Sequence, residues 1–122
     1  MTPLTTLTLF LSWKCNLRCA HCGFSCGPGR RERLPRETAR RAIAEAASIS
    51  GVRMIAFSGG EPFLFYREML QHMEQAHSAG LSTGVVTNCY WATSRATAVS
   101  RLEEMAGLGL QEVIVSFDDY HA

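Results

Sequence analysis

The sequence predicts an α/β fold in which parallel strands alternate with helices, and three observations carry that prediction. Short runs rich in β-branched and apolar residues recur four times along the chain. Between the later runs, small apolar residues repeat at helical spacing. Glycine and proline punctuate the junctions, as in Gly59-Gly60-Glu61-Pro62 and at Gly80, Gly107 and Gly109.

Taken in order, Thr5 to Leu11 is β-branched and apolar and reads as a buried strand ending at Ser12. A long loop follows, broken by Gly27-Pro28-Gly29 and carrying four of the five cysteines. Pro35 opens a helix over Arg36 to about Ile49, with Ala39, Ala42, Ile43, Ala46 and Ala47 on one stripe and Arg36, Arg40 and Arg41 off it. Val52 to Phe57 has the length of a second strand, stopped by Ser58-Gly59-Gly60-Glu61-Pro62. A second helix is predicted from Tyr66 to Ala79, with Met69, Leu70 and Met73 inward, His72 and His77 on the surface, and Gly80 as its stop. Leu81 to Thr87 is a third strand. Ser94 suits the N-cap of a third helix whose stripe is Ala98, Leu102, Met105 and Ala106. Glu112 to Phe117 is a fourth strand.

The order β-loop-α-β-α-β-α-β calls for right-handed crossovers and a parallel sheet. A barrel segment and an open sheet both satisfy it. In either, ligands gather at the carboxyl ends of the strands. The cysteine loop, the Gly59-Gly60-Glu61-Pro62 turn, Asn88-Cys89 and Asp118-Asp119 each follow a strand, so they are expected on one face.

Bulk properties narrow the function classes. The 122 residues suit one domain with its own core, without repeats or low-complexity tracts. A formal charge of +1 gives no general grip on nucleic acid or an anionic membrane. The Arg30-Arg31-Glu32-Arg33 run reads first as a solvated loop and alternatively as a basic rim facing substrate. Leu7 to Leu11 lacks the flanks of a signal sequence and is too short to cross a bilayer, so a cytoplasmic location is expected. In that reducing compartment clustered cysteines signal metal or redox chemistry.

Cys15, Cys19 and Cys22 form CxxxCxxC. Soft thiolates at this spacing suit an iron–sulfur cluster or zinc. Structural zinc sites more often pair two CxxC knuckles across a gap, and no second pair exists here. Adding Cys26 approaches the ferredoxin run, so a four-thiolate electron-transfer centre is also open on the loop alone.

Further along, the residues resemble the radical S-adenosylmethionine (radical SAM) enzymes. The likeness rests on Cys15-Asn16-Leu17-Arg18-Cys19-Ala20-His21-Cys22, Phe57-Ser58-Gly59-Gly60-Glu61-Pro62, Thr87-Asn88 and Ser116-Phe117-Asp118, each at a strand end. It implies a partial parallel (βα) barrel, with four strands and three helices of the family's usual six units. Residues 1–122 would then be the N-terminal portion of a core domain: a fragment, one half of a split enzyme completed by a partner chain, or a small cluster-binding protein.

The resemblance also implies a [4Fe-4S] cluster held by Cys15, Cys19 and Cys22, with the fourth iron left open for SAM. Reductive cleavage of SAM would give a 5′-deoxyadenosyl radical that abstracts hydrogen from substrate. No catalytic residue is assigned beyond the cluster. Gly59, Gly60 and Pro62 would shape the SAM site, and Glu61 or neighbouring carbonyls would meet the SAM ammonium. Asn88, Ser116 and Asp118 would serve the ribose and methionine end, and His21 the adenine. Cys26 would stay off the cluster, because a fourth ligand blocks SAM.

Cys89 is a small buried residue or a cavity residue, and Asp119, Tyr120 and His121 line the cavity or begin a loop. Tyr90-Trp91 either covers the cavity or packs on the third helix. The partners implied are an external electron donor such as a flavodoxin or ferredoxin and an unidentified substrate, with a peptide or protein preferred. The alternative reading is a non-catalytic iron–sulfur electron carrier using Cys15, Cys19, Cys22 and Cys26. A zinc-binding interaction module is a third.

Overall fold

The computed structural model describes residues 5–12 and 33–115. The elements are β1 (Thr6–Phe10), α1 (Arg36–Ser48), β2 (Met54–Ser58), a 3-10 turn (Pro62–Phe65), α2 (Tyr66–Ser78), β3 (Ser82–Thr87), α3 (Arg95–Ala106) and β4 (Leu110–Val115). The strands lie in sequential order and every neighbouring pair is parallel. Sequential order resolves the choice between barrel segment and open doubly wound sheet. With right-handed crossovers that never reverse direction, all three helices fall on one face and the sheet curls as part of a (βα) barrel.

Strand periodicity shows which face that is. In register, Leu9 sits beside Phe57 and Phe57 beside Val85, all buried, with Ile55 one step below. Ala39, Ile43 and Ala46 of α1 and Met69, Met73 and Ala76 of α2 complete this core. The alternate residues Thr8, Ala56 and Val86 face the other side and stay partly or wholly exposed. At roughly 25 cal/mol per Å² of apolar surface, each fully buried Phe, Ile or Met contributes about 1.5–3 kcal/mol.

Helix boundaries follow local chemistry. Ser94 caps α3 by accepting from the Thr97 amide at 3.1 Å. Gly80, at φ +85°, turns the chain out of α2 and sends the Leu81 amide back to the Ala76 carbonyl at 2.9 Å.

Several expectations are corrected. His72 is 6% exposed and stacks on Phe57 at 6.4 Å between centroids, because α2 rolls that side onto the sheet. His77 is exposed as expected. Leu102 and Ala106 lie outward and only Met105 of the α3 stripe is buried; Ala47 of α1 is exposed as well. The fourth strand begins at Leu110, two residues early, because Gly109 at φ +86° completes the turn and a register shift follows between Thr83 and Gly84. Residues Pro62–Phe65 form a 3-10 turn that leads from the glycine stop into α2. Among the described residues no helix is long and apolar enough to cross a membrane.

Candidate functional site

The carboxyl ends of β1, β2 and β3 come together through hydrogen bonds rather than mere proximity. After β1, the Leu11 amide donates to the Ser58 carbonyl at 3.2 Å, and Leu34 returns an amide to the Leu11 carbonyl at 2.9 Å. Ser12 and Arg33 form an isolated antiparallel bridge. Ser12 and Arg33 therefore lie side by side at the end of β1.

That base is clamped to the next strand end. The Gly60 amide donates to the Ser12 carbonyl at 2.7 Å. Gly59 sits at φ +108°, and a Cβ there would meet the same carbonyl oxygen at 2.6 Å and the Phe10 Cα at 3.3 Å. Glycine is needed at 59 for both reasons, conformation and close approach.

Glu61 turns inward and is 1% exposed. Its Oε2 accepts from the Phe63 amide at 3.0 Å and the Thr87 hydroxyl at 2.8 Å, and its Oε1 accepts from the Asn88 amide at 2.6 Å. Burial raises its pKa; the hydrogen bonds from Asn88, Phe63 and Thr87 pull the other way. The carboxylate is thus a strap between the ends of β2 and β3.

Thr87 is the hub of this strap. Besides donating to Glu61, its hydroxyl accepts from the Cys89 amide at 3.1 Å and from the Trp91 indole at 3.0 Å. Trp91 stacks on Phe63 with centroids 4.2 Å apart, so the aromatic turn after β3 is anchored on the 3-10 turn after β2. Tyr90 donates its hydroxyl to the Phe63 carbonyl at 3.2 Å, while its amide donates to Asn88 Oδ1 at 3.0 Å. Sequence reasoning quoted Thr87 but missed its role, and it missed Phe63. A threonine at a strand end followed by an aromatic four residues on was the available signal.

Cys89 takes φ +62°, the only non-glycine residue at positive φ among those described. Its thiol is half-buried, and burial together with the Glu61 charge pushes its pKa up, so it stays protonated.

The described residues therefore bring together Gly59, Gly60, Glu61, Pro62 and Asn88 beside Ser12. Cys15, Cys19, Cys22, Cys26 and His21 lie outside the described residues, as do Ser116, Asp118, Asp119, Tyr120 and His121. Among the described residues no group of three or more His, Cys, Asp or Glu could hold a metal ion. The Glu61 side chain is engaged inward, and its carbonyl accepts from the Leu64 amide at 3.1 Å.

The sequence matches the Radical SAM superfamily over residues 11–122. YydG of Bacillus subtilis (strain 168), provisionally named for peptide biosynthesis, is 30% identical over 117 residues, covering 96% of this chain and 37% of the relative. A GTP 3′,8-cyclase of Mycobacterium marinum (strain ATCC BAA-535 / M) is 30% identical over 118 residues, covering 93% of this chain and 31% of the relative. A PqqA peptide cyclase of Ruegeria pomeroyi (strain ATCC 700808 / DSM 15171 / DSS-3) is 31% identical over 107 residues, covering 87% and 27%. The chain thus spans about a third of the length of these relatives. The crystal structure of BtrN in complex with AdoMet and 2-DOIA superposes with a TM-score of 0.73 at 19% identity, over 93% of this chain and 46% of that one. That likeness is one of fold.

Proposed function

The chain belongs to the Radical SAM superfamily, and we propose that residues 1–122 form the N-terminal portion of an enzyme core that binds a [4Fe-4S] cluster and SAM. When bound, the reduced cluster would supply the electron that cleaves SAM to the hydrogen-abstracting 5′-deoxyadenosyl radical. The observation that carries the reading is the Gly60-to-Ser12 hydrogen bond, which fastens the base of the cysteine loop to the glycine turn.

Cys15, Cys19 and Cys22 are the proposed cluster ligands, a reading supported by the family match over residues 11–122. Cys26 stays off the cluster. With the Glu61 side chain spent on β3 and its carbonyl accepting from the Leu64 amide at 3.1 Å, the Gly59 and Gly60 carbonyls are the proposed acceptors for the SAM ammonium, and Pro62 fixes the turn's exit. Asn88, Ser116 and Asp118 are assigned to the ribose and methionine end, and His21 to the adenine.

The substrate proposed is a peptide or protein, a preference supported by the names of YydG and the PqqA peptide cyclase. An external electron donor of the flavodoxin or ferredoxin type is required by the chemistry. The edge strand β4, with Ile114 and Val115 half-exposed on its two faces, suits the remaining strands of the core, supplied by further chain or by a partner chain.

Anaerobic reconstitution with iron and sulfide, followed by reductant and SAM, tests the reading. The expected product is 5′-deoxyadenosine, lost in Cys15→Ala, Cys19→Ala and Cys22→Ala, with the cluster spectrum retained in Cys26→Ala. A reconstituted protein that holds its cluster through Cys26 and leaves SAM intact would make it an electron carrier instead.

A further inference from the structure

A cleft of about 540 Å³ opens between the first turns of α1 and α2 and the middle of α3. Arg33, Arg36, Arg67 and Arg101 border it, against two carboxylates, Glu68 and Glu104. Four guanidiniums and two carboxylates leave a surplus of two positive charges in one concavity.

These arginines are held in place. Arg33 and Arg36 both pair with Glu68, the latter at 2.6 Å, and that carboxylate is nearly buried. Arg33 also lies 4.2 Å over the Phe65 ring, and Arg101 lies 3.9 Å over Tyr66, whose hydroxyl donates to Glu104. Guanidinium planes parked on aromatic faces lose less freedom when they grip a ligand. Arg67 is exposed and takes part in none of these ion pairs or ring contacts. Phe63, Leu64 and Phe65 give the cleft an apolar floor.

We propose that this cleft binds a short acidic peptide segment, with Asp or Glu carboxylates on Arg67 and Arg101 and an apolar side chain on the floor between them. A guanidinium fork matches a carboxylate in two parallel hydrogen bonds. The wall already holds a single guanidinium–carboxylate hydrogen bond, from Arg36 Nε to Glu68 Oε1 at 2.6 Å. A phosphate dianion fits less well, since it would concentrate two charges at one point beside Glu68 and Glu104, whereas the peptide spreads them over two guanidiniums. The cleft also runs from Arg33, bridged to Ser12 at the end of β1, to Phe63, two residues past Glu61, so a segment seated there flanks the strand-end site.

The inference deepens the peptide-substrate reading and rests on it for the segment's origin, but binding is read without turnover, so the two fail separately. The test is fluorescence anisotropy of a labelled peptide of alternating Glu and Leu, added to the reconstituted protein at physiological salt, with its Gln-for-Glu counterpart as control. The acidic probe is expected to bind, with at least about tenfold loss in Arg67→Gln/Arg101→Gln and a similar loss for the Gln counterpart. Arg67→Gln alone, at an exposed residue, is expected to weaken binding about threefold without moving the melting curve. Equal binding of the two peptides, or full binding to the double variant, overturns the proposal. So does a cleft that takes inorganic phosphate with the same variant sensitivity and no peptide.

Discussion

The hydroxyl of Thr87 donates to the buried carboxylate of Glu61 across 2.8 Å, joining the end of β3 to the turn after β2. The bond sits in a chain that runs from the Trp91 indole through Thr87 and Glu61 to the Asn88 and Phe63 amides. Each member satisfies another, so the proposed SAM-binding turn is held from inside the protein. A fully satisfied buried network of this kind rigidifies what it spans.

Glu61→Gln and Thr87→Val should therefore fail to add. The glutamine would present an NH2 to at least one main-chain donor, and the valine would leave the Cys89 amide and the Trp91 indole without their acceptor. Each variant is expected to lose about 1–3 kcal/mol, and the double variant to lose less than the sum by about 1 kcal/mol. Urea denaturation of the four proteins gives the cycle. Additive losses would mean that the bond carries no coupling.

Glu61 also sets a pH dependence. Its folded pKa is raised by burial above the ordinary 4.5, so its protonated form is favoured on folding. The resulting stability is present below pH 4.5 and is lost as pH rises through the folded pKa. Relative to Glu61→Gln, the wild type should lose stability over that window. A flat difference would show that the hydrogen bonds cancel the burial.

Much of this site was legible because its logic is local. Helical spacing, Ser94 and Gly80 reported α1 to α3, and strand composition reported four parallel strands. Gly59-Gly60-Glu61-Pro62 was legible as a turn at a strand end, but the inward turn of Glu61 was not, since it depends on Thr87 and Asn88 arriving from the neighbouring strand. His72 and Leu102 were misplaced for a related reason. Helical periodicity gives a stripe, while the roll of the helix on the sheet decides which edge of the stripe is covered.

Gly59→Ala and Gly80→Ala separate close approach from backbone conformation. Both glycines have positive φ, but a Cβ at 59 meets the Ser12 carbonyl at 2.6 Å, whereas at 80 nothing lies within 4 Å. Gly80→Ala is expected to cost about 1–2 kcal/mol, the left-handed penalty alone. Gly59→Ala should cost about 1–3 kcal/mol more, because main chain must move. Equal losses in denaturant would remove the clamp between the glycine turn and the loop base.

Cys89 tests the same geometry in reverse. At φ +62° a glycine relieves the strain of about 1–2 kcal/mol, offset by loss of a half-buried thiol's contacts. Cys89→Gly should match or exceed wild-type stability, and Cys89→Val, branched at Cβ, should fall below it by about 1–3 kcal/mol. A less stable glycine variant would assign Cys89 to packing rather than to tolerated strain.

His72 makes the opposite pH prediction from Glu61. Burial lowers its folded pKa below the ordinary 6.5; the Glu68 charge opposes that shift and the Arg36 charge adds to it. Below pH 6.5 the unfolded chain takes up a proton that the folded protein resists, so stability is complete above 6.5 and is lost as pH falls through the folded pKa. His72→Phe keeps a flat ring on Phe57 and removes the titration. The expected outcome is a wild-type stability that falls relative to the variant as pH drops from 6.5 through the folded pKa. Parallel curves over that interval would place the imidazole in contact with water, contrary to its 6% exposure.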